Sequence, residues 1–202
     1  DSEKRFGWKK LQEKVPTVKQ FQKDFKDQSA VGVGIVCGKV SGRLECLDID
    51  CKNDLTGTLW SDFLAELEDQ APGLIQCFFI ETTINKGYHL VYRLRDQDPD
   101  GNLKLANSKT GEVLIETRGE GGYFACVPTA GYNVFQGSLL KLPVISEDER
   151  EILFGVARSF HHITEEVYEQ KELSEYEGLT PFDAYDLDPK KSLELIESVG
   201  WK

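Results

Sequence analysis

The chain has 202 residues, 40% of them hydrophobic and 29% charged, and a formal net charge of −11. This is the composition of a folded domain with enough chain for a full core, and it excludes a disordered polypeptide; no apolar run is long enough to cross a bilayer. The acidity counts against tight unassisted binding to DNA, although it gathers beyond Ser146, whereas the first 27 residues carry an excess of Lys and Arg. No basic-then-apolar leader opens the chain, so a cytoplasmic protein with no membrane partner is expected. A start at Asp1 and the absence of methionine are expected of a piece excised from a longer protein. Five cysteines without a CxxC pair (Cys37, Cys46, Cys51, Cys77, Cys126) read as small buried hydrophobes rather than a disulfide framework or a zinc site.

In chain order, "VPTVKQFQKDFKDQ" spaces Val18, Phe21 and Phe25 as one face of a helix, with Thr17 as its cap and Lys19, Lys23 and Lys26 on a basic outer face. "AVGVGIVCG" predicts a buried strand, "KVSGR" a turn and "LECLDID" the return strand of a hairpin. "TGTLWSDFLAELEDQ" is a capped helix ended by Pro72-Gly73. "IQCFFIETT" and "YHLVYRL" form a second hairpin across the turn "INKG". Residues 95–111 read as a surface loop or weak hairpin, and "EVLIETRG" and "GYFACVP" as a third strand pair around glycines. From Ser146 the pattern turns helical, followed by the acidic tract "TEEVYEQKELSEYEG" and a short terminal helix. Strand pairs with interspersed helices predict an α+β domain with a mostly antiparallel sheet and a helical C-terminal appendage, divided as 1–145 and 146–202.

"LECLDID" poses the chemical question. Asp48 and Asp50 end an apolar strand, and alternation points both carboxylates the same way. A turn explains one aspartate as a cap; two in register ask for a cation. Two further features lie at strand ends: His89 in "TINKGYHLVYR", and Glu116 with Arg118 in "LIETRGEGG". Two carboxylates and a third from a separate strand suit a pair of Mg²⁺ or Mn²⁺ ions roughly 4 Å apart. Each feature also has a plain structural reading. DxD occurs in turns and caps, His89 suits a satisfied core histidine, and Glu116–Arg118 an exposed ion pair. Lys86 suits a solvated turn, and the glycines a tight hairpin. His161 and His162 are adjacent, point to different sides and read as surface residues. No GxxxxGK[ST] loop, ExK, GxSxG or Cys/His nucleophile arrangement is present.

Taken in order, "GVGIVCGKVSGRLECLDID", "TTINKGYHLVYR" and "IETRGEGGYFACVPT" resemble the primase-polymerase (prim-pol) branch of the archaeo-eukaryotic primase superfamily, over roughly residues 30–135. The resemblance implies the archaeo-eukaryotic primase fold. It implies metal ligation, and so catalysis, by Asp48, Asp50 and Glu116, and contact between His89 and the phosphates of an incoming nucleotide. It assigns Arg118, Gly121 and Gly122 to the family's arginine-glycine stretch. The run before the histidine often reads Ser-Gly-Gly in the family; here it is Asn85-Lys86-Gly87, which makes Lys86 a substitute phosphate contact. The tail "LTPFDAY…LELIESVGW" looks like the segment linking such domains to a downstream helicase in phage and plasmid replication proteins. The expectation is therefore a metal-dependent nucleotidyltransferase that makes or extends primers on single-stranded DNA from nucleoside triphosphates. Its basic first helix (Lys19, Lys23, Lys26) would lie along template phosphates. The rivals are a non-catalytic nucleotide- or DNA-binding module of a replication initiator, and a metal-dependent nuclease using the same carboxylates.

Overall fold

The computed structural model describes residues 8–24, 26 and 31–162. These lie in the first of two compact units, Asp1–Thr164. The acidic tract and the terminal segment expected to lead to a helicase lie outside the described residues. In chain order the elements are α1 (Val18–Asp24), β1 (Val33–Val36), β2 (Leu44–Ile49), α2 (Leu59–Gln70), β3 (Phe79–Thr82), β4 (Tyr88–Leu94), β5 (Lys104–Asn107), β6 (Val113–Arg118), β7 (Tyr123–Cys126), β8 (Asn133–Gln136), β9 (Val144–Ile145) and α3 (Glu147–Ser159). The main sheet runs β5-β6-β2-β4-β3-β8, with β9 parallel to the end of β4 and the other pairings antiparallel. This is an α+β domain built on a mostly antiparallel sheet.

Alternation along β2 sorts its side chains between two layers. Leu47 and Ile49 join the core beneath α2 and α3, while Leu44 and Cys46 face the opposite way, with Phe79 and Val91, beneath β1 and β7. Helix α2 inserts Leu59, Phe63 and Leu67, one stripe at four-residue spacing. Thr58 precedes it without a side-chain cap bond; Asp54 Oδ2 instead accepts from the Leu59 amide at 2.9 Å. Helix α3 opens on the Ser146–Glu149 capping box and packs Leu153, Phe154, Val156 and Ala157 into the same core. Arg150 is drawn in with them. Its Nε and Nη2 each donate at 2.8 Å to the fully buried Glu45, which also accepts from the Tyr92 hydroxyl at 2.8 Å. Glu45 alternates with the apolar residues of β2, and nothing local in the sequence marks it as buried or names a partner in α3.

Two expected hairpins are not formed. β1 does not pair with β2 beyond a single bridge, Gly38–Leu44; its partner is β7. Nor does β6 pair with β7; its partners are β2 and β5. In both places the glycines change layers instead of reversing the strand. Gly38, at φ 95°, carries the chain from the two-stranded sheet into the main one, and Gly121, at φ 75°, carries it back. The β3–β4 hairpin forms as expected, and residues 95–111 contribute β5, which pairs with β6. Helix α1 is present, with Thr17 Oγ1 accepting from the Gln20 amide at 3.2 Å, but it buries no residue. All five cysteines are free thiols, and Cys37, Cys46 and Cys126 are buried.

Candidate active site

Cross-strand register assembles the site. Lys104 on β5 pairs with Glu116 on β6, Glu116 with Asp48 on β2, Asp48 with His89 on β4, and His89 with Glu81 on β3. Directly opposed residues share a face, so five charged or titratable side chains form one row transverse to the strands. It lies on the face that carries β1 and β7.

Arg118, two positions beyond Glu116, turns onto the row. Its Nη2 donates to Glu116 Oε1 at 2.6 Å and to Asp48 Oδ2 at 3.2 Å. On the other flank, His89 Nε2 is 3.5 Å from Asp48 Oδ1 and its Nδ1 is 2.9 Å from Glu81 Oε1. Glu81 is fully buried, and its second oxygen accepts from the Val127 amide at 2.9 Å. The cations that the aspartate-bearing strand asked for are thus Arg118 and His89. Burial alone would neutralise His89, but hydrogen bonds to Asp48 and Glu81, and their charges, raise its pKa to about 9. It is an imidazolium at neutral pH, donating from both nitrogens. Burial also opposes charge on Asp48, yet the hydrogen bond from His89 and the charges of His89 and Arg118 hold its carboxyl below the usual range. Glu116 moves the other way. Burial raises it, and the charges of Asp48 and Asp50 add to the rise against Arg118 and Lys104. Phe124 meets the His89 ring edge-on at 5.2 Å, and the Tyr132 ring lies 6.0 Å away on the same histidine.

Asp50 lies one residue past β2. Its amide extends the ladder to the Leu114 carbonyl at 2.8 Å, while its carboxylate accepts from the Lys52 amide at 3.1 Å and caps the short helical turn Cys51–Asn53. Asn85 and Lys86 form the exposed tip of the β3–β4 turn, with Lys86 in the left-handed region at φ 65°. Gly87 behind them is buried against the end of β2: a Cβ there would strike the Ile49 carbonyl and lie 3.4 Å from Asp50 Cα. Gly121 accepts from Gln12 Nε2 at 2.7 Å through its carbonyl, and Gly122 packs against the Asn102 side chain. Lys19, Lys23 and Lys26 are exposed and, among the described residues, do not touch the row. The structure therefore brings Asp48, Glu116, His89 and Arg118 together, with Asp50 adjoining, and leaves the lysines apart. Glu81 and Lys104 were not anticipated. Glu81 could have been found by counting outward from the "INKG" turn, which sets it opposite His89; the irregular β5 gives no such count for Lys104.

The sequence profile of the N-terminal domain of bifunctional DNA primase/polymerases (Prim-Pol) matches residues 3–143. The chain belongs to this family. No curated protein matches it. The Prim-Pol match takes in every strand of the row, and Prim-Pol proteins are in general metal-dependent. The donor chemistry here fits a hard divalent cation, since Asp48, Asp50 and Glu116 offer carboxylate oxygens and Asp48 and Glu116 are directly opposed on adjacent strands. Among the described residues no three ligand-type side chains already converge on one point. The Arg118 guanidinium holds the place between two of the three carboxylates.

Proposed function

We propose that this Prim-Pol chain is a metal-dependent nucleotidyltransferase with the archaeo-eukaryotic primase fold. It makes or extends primers on single-stranded DNA, joining nucleoside triphosphates to a 3′-hydroxyl with release of pyrophosphate. The observation that carries this reading is the direct pairing of Asp48 with Glu116 beside the buried His89, all on one face of the sheet. Asp48, Asp50 and Glu116 would hold two Mg²⁺ or Mn²⁺ ions, which when bound supply charge neutralisation at the phosphates and a more acidic attacking hydroxyl. His89 acts as a fixed cation toward the triphosphate. Glu81, lacking access to solvent, keeps the Nδ1 proton in place and sets the ring so that Nε2 is the nitrogen turned to the substrate side. Arg118 exchanges carboxylate oxygens for phosphate oxygens, for which a guanidinium is equally matched. Lys86, with Asn85 at the hairpin tip, and Gly121 and Gly122 after Arg118, border the proposed triphosphate site.

Helix α3 belongs to the proposed catalytic unit through Arg150 and its four core side chains, and the residues beyond it form the proposed link to a helicase domain. No described helix is long and apolar enough to cross a membrane. The test is synthesis on single-stranded DNA with Mn²⁺ or Mg²⁺ and labelled nucleotides, with and without an annealed primer. Asp48→Asn should lose about two orders of magnitude or more of product. A primer-free product establishes priming. Loss of labelled DNA without any triphosphate requirement would instead establish a nuclease.

A further inference from the structure

A second charged site lies at the other end of the same strands. Lys39, Arg43, Arg93 and Arg95 line a groove of about 420 Å³, with Asp98 as the one acidic residue in the lining. In a chain of net charge −11 this is an unusual gathering of cations. Asp98 offsets part of it, bonding Lys39 Nζ at 3.3 Å and Arg43 Nε at 3.1 Å. The arginines are already ordered by backbone carbonyls. Arg43 Nη1 donates to the Arg95 carbonyl at 2.6 Å, and Arg93 Nη1 to the carbonyls of Ser41 and Gly42. Arg43 is held in the left-handed region at φ 60°, a conformation disfavoured for a side-chain-bearing residue. Among the described residues, Nη2 of both arginines and Nε of Arg93 have no protein acceptor. A preset pair of guanidinia with spare donors is suited to phosphate oxygens.

The position suggests which phosphates. Arg93 pairs with Leu44 as His89 pairs with Asp48, and His89, Val91 and Arg93 alternate onto one face of β4. The two sites are four residues apart along the strand, ~13 Å at ~3.3 Å per residue, or about four stacked nucleotides at ~3.4 Å each. They flank the layer made by β1 and β7. The chain leaving Arg118 returns beside the groove, where Glu120 Oε2 accepts from the Lys39 amide at 2.7 Å. We propose that this groove is a second phosphate site, which holds backbone phosphates of the single strand on which the active-site row works. That the ligand is a polynucleotide rests on the proposed function; that the groove takes phosphate does not.

The test uses anisotropy of a 3′-labelled single-stranded oligonucleotide carrying a 5′-hydroxyl, titrated with the parent chain and with Lys39→Ala/Arg95→Ala. Both positions are exposed and neither side chain closes a turn; matched thermal unfolding verifies the fold. The double variant should bind at least tenfold more weakly at low salt. Its log–log salt slope should be shallower by more than one, since each lost phosphate contact on a single strand removes ~0.7. Mn²⁺-dependent binding of a deoxynucleoside triphosphate at the row should be unchanged. Equal affinity and slope in parent and variant would overturn the proposal, as would a parent that binds no oligonucleotide. Loss of inorganic tripolyphosphate binding with oligonucleotide binding intact would also overturn it, assigning the groove to a free triphosphate. If the parent synthesises nothing yet its oligonucleotide binding depends on Lys39 and Arg95, the polymerase reading fails and the groove stands.

Discussion

Arg118 holds apart two carboxylates that strand pairing sets face to face, and it does so with a single nitrogen shared at 2.6 and 3.2 Å. A guanidinium in that place and a divalent cation compete for the same oxygens. Arg118→Gln should therefore bind Mn²⁺ several-fold more tightly than the parent in the absence of nucleotide, read by electron paramagnetic resonance, and bind nucleoside triphosphate more weakly. Weaker Mn²⁺ binding in the variant would mean that Arg118 builds the metal site rather than occupying it. His89 permits a prediction in pH. Its pKa is raised to about 9 in the folded protein from an unfolded value near 6.5. The stabilisation is present in full below the unfolded value and is lost as pH rises through about 9. In EDTA, unfolding free energy should fall by on the order of 2–3 kcal/mol between pH 6 and 10, and His89→Gln should flatten that dependence. A parent and variant with parallel profiles would show that His89 is not charged in the folded state.

At the scale of elements, the β3–β4 hairpin positions the end of β2 through Gly87, which leaves no room for a methyl group against the Ile49 carbonyl. Gly87→Ala should cost ~1–3 kcal/mol in denaturant unfolding, as overpacking does, and should reduce activity beyond that loss because Asp50 follows the displaced carbonyl. Helix α3 is tied to β2 by the buried Glu45–Arg150 pair. Arg150→Leu alone should cost ~3–5 kcal/mol by leaving a carboxylate buried without its cation, whereas Glu45→Met with Arg150→Leu should recover most of that. These elements also show what was legible beforehand. The β3–β4 pair could be read because its turn is short and its register follows by counting. The pairings of β1 with β7 and of β2 with β6 could not, because the glycine turns at Gly38 and Gly121 resemble hairpin turns while they move the chain between layers. Asp48, His89, Glu116 and Arg118 stood out as charges ending apolar strands. Glu45 and Glu81 stood inside such strands, where only a distant or cross-strand partner explains a buried carboxylate.

Across the whole molecule, no stretch of chain holds the site by itself. Asp48 and Arg118 are 70 positions apart, and β2, at the centre of the row, takes its partner strands from the β3–β4 and β5–β6 hairpins. Local melting of one hairpin therefore removes one wall of the site, but only complete assembly of the sheet creates it. Loss of catalysis and loss of structure should then share one midpoint in urea, with activity, near-ultraviolet dichroism and tryptophan emission superimposing; activity vanishing at lower urea would reveal a separable subunit of structure within the domain. Pairings this remote in sequence also slow folding. Because β2 meets β6 only after all of the intervening chain is available, a nascent polypeptide halted before Glu116 has Asp48 but not the carboxylate that faces it, and the proposed nucleotide site arises all at once, when β6 has been made.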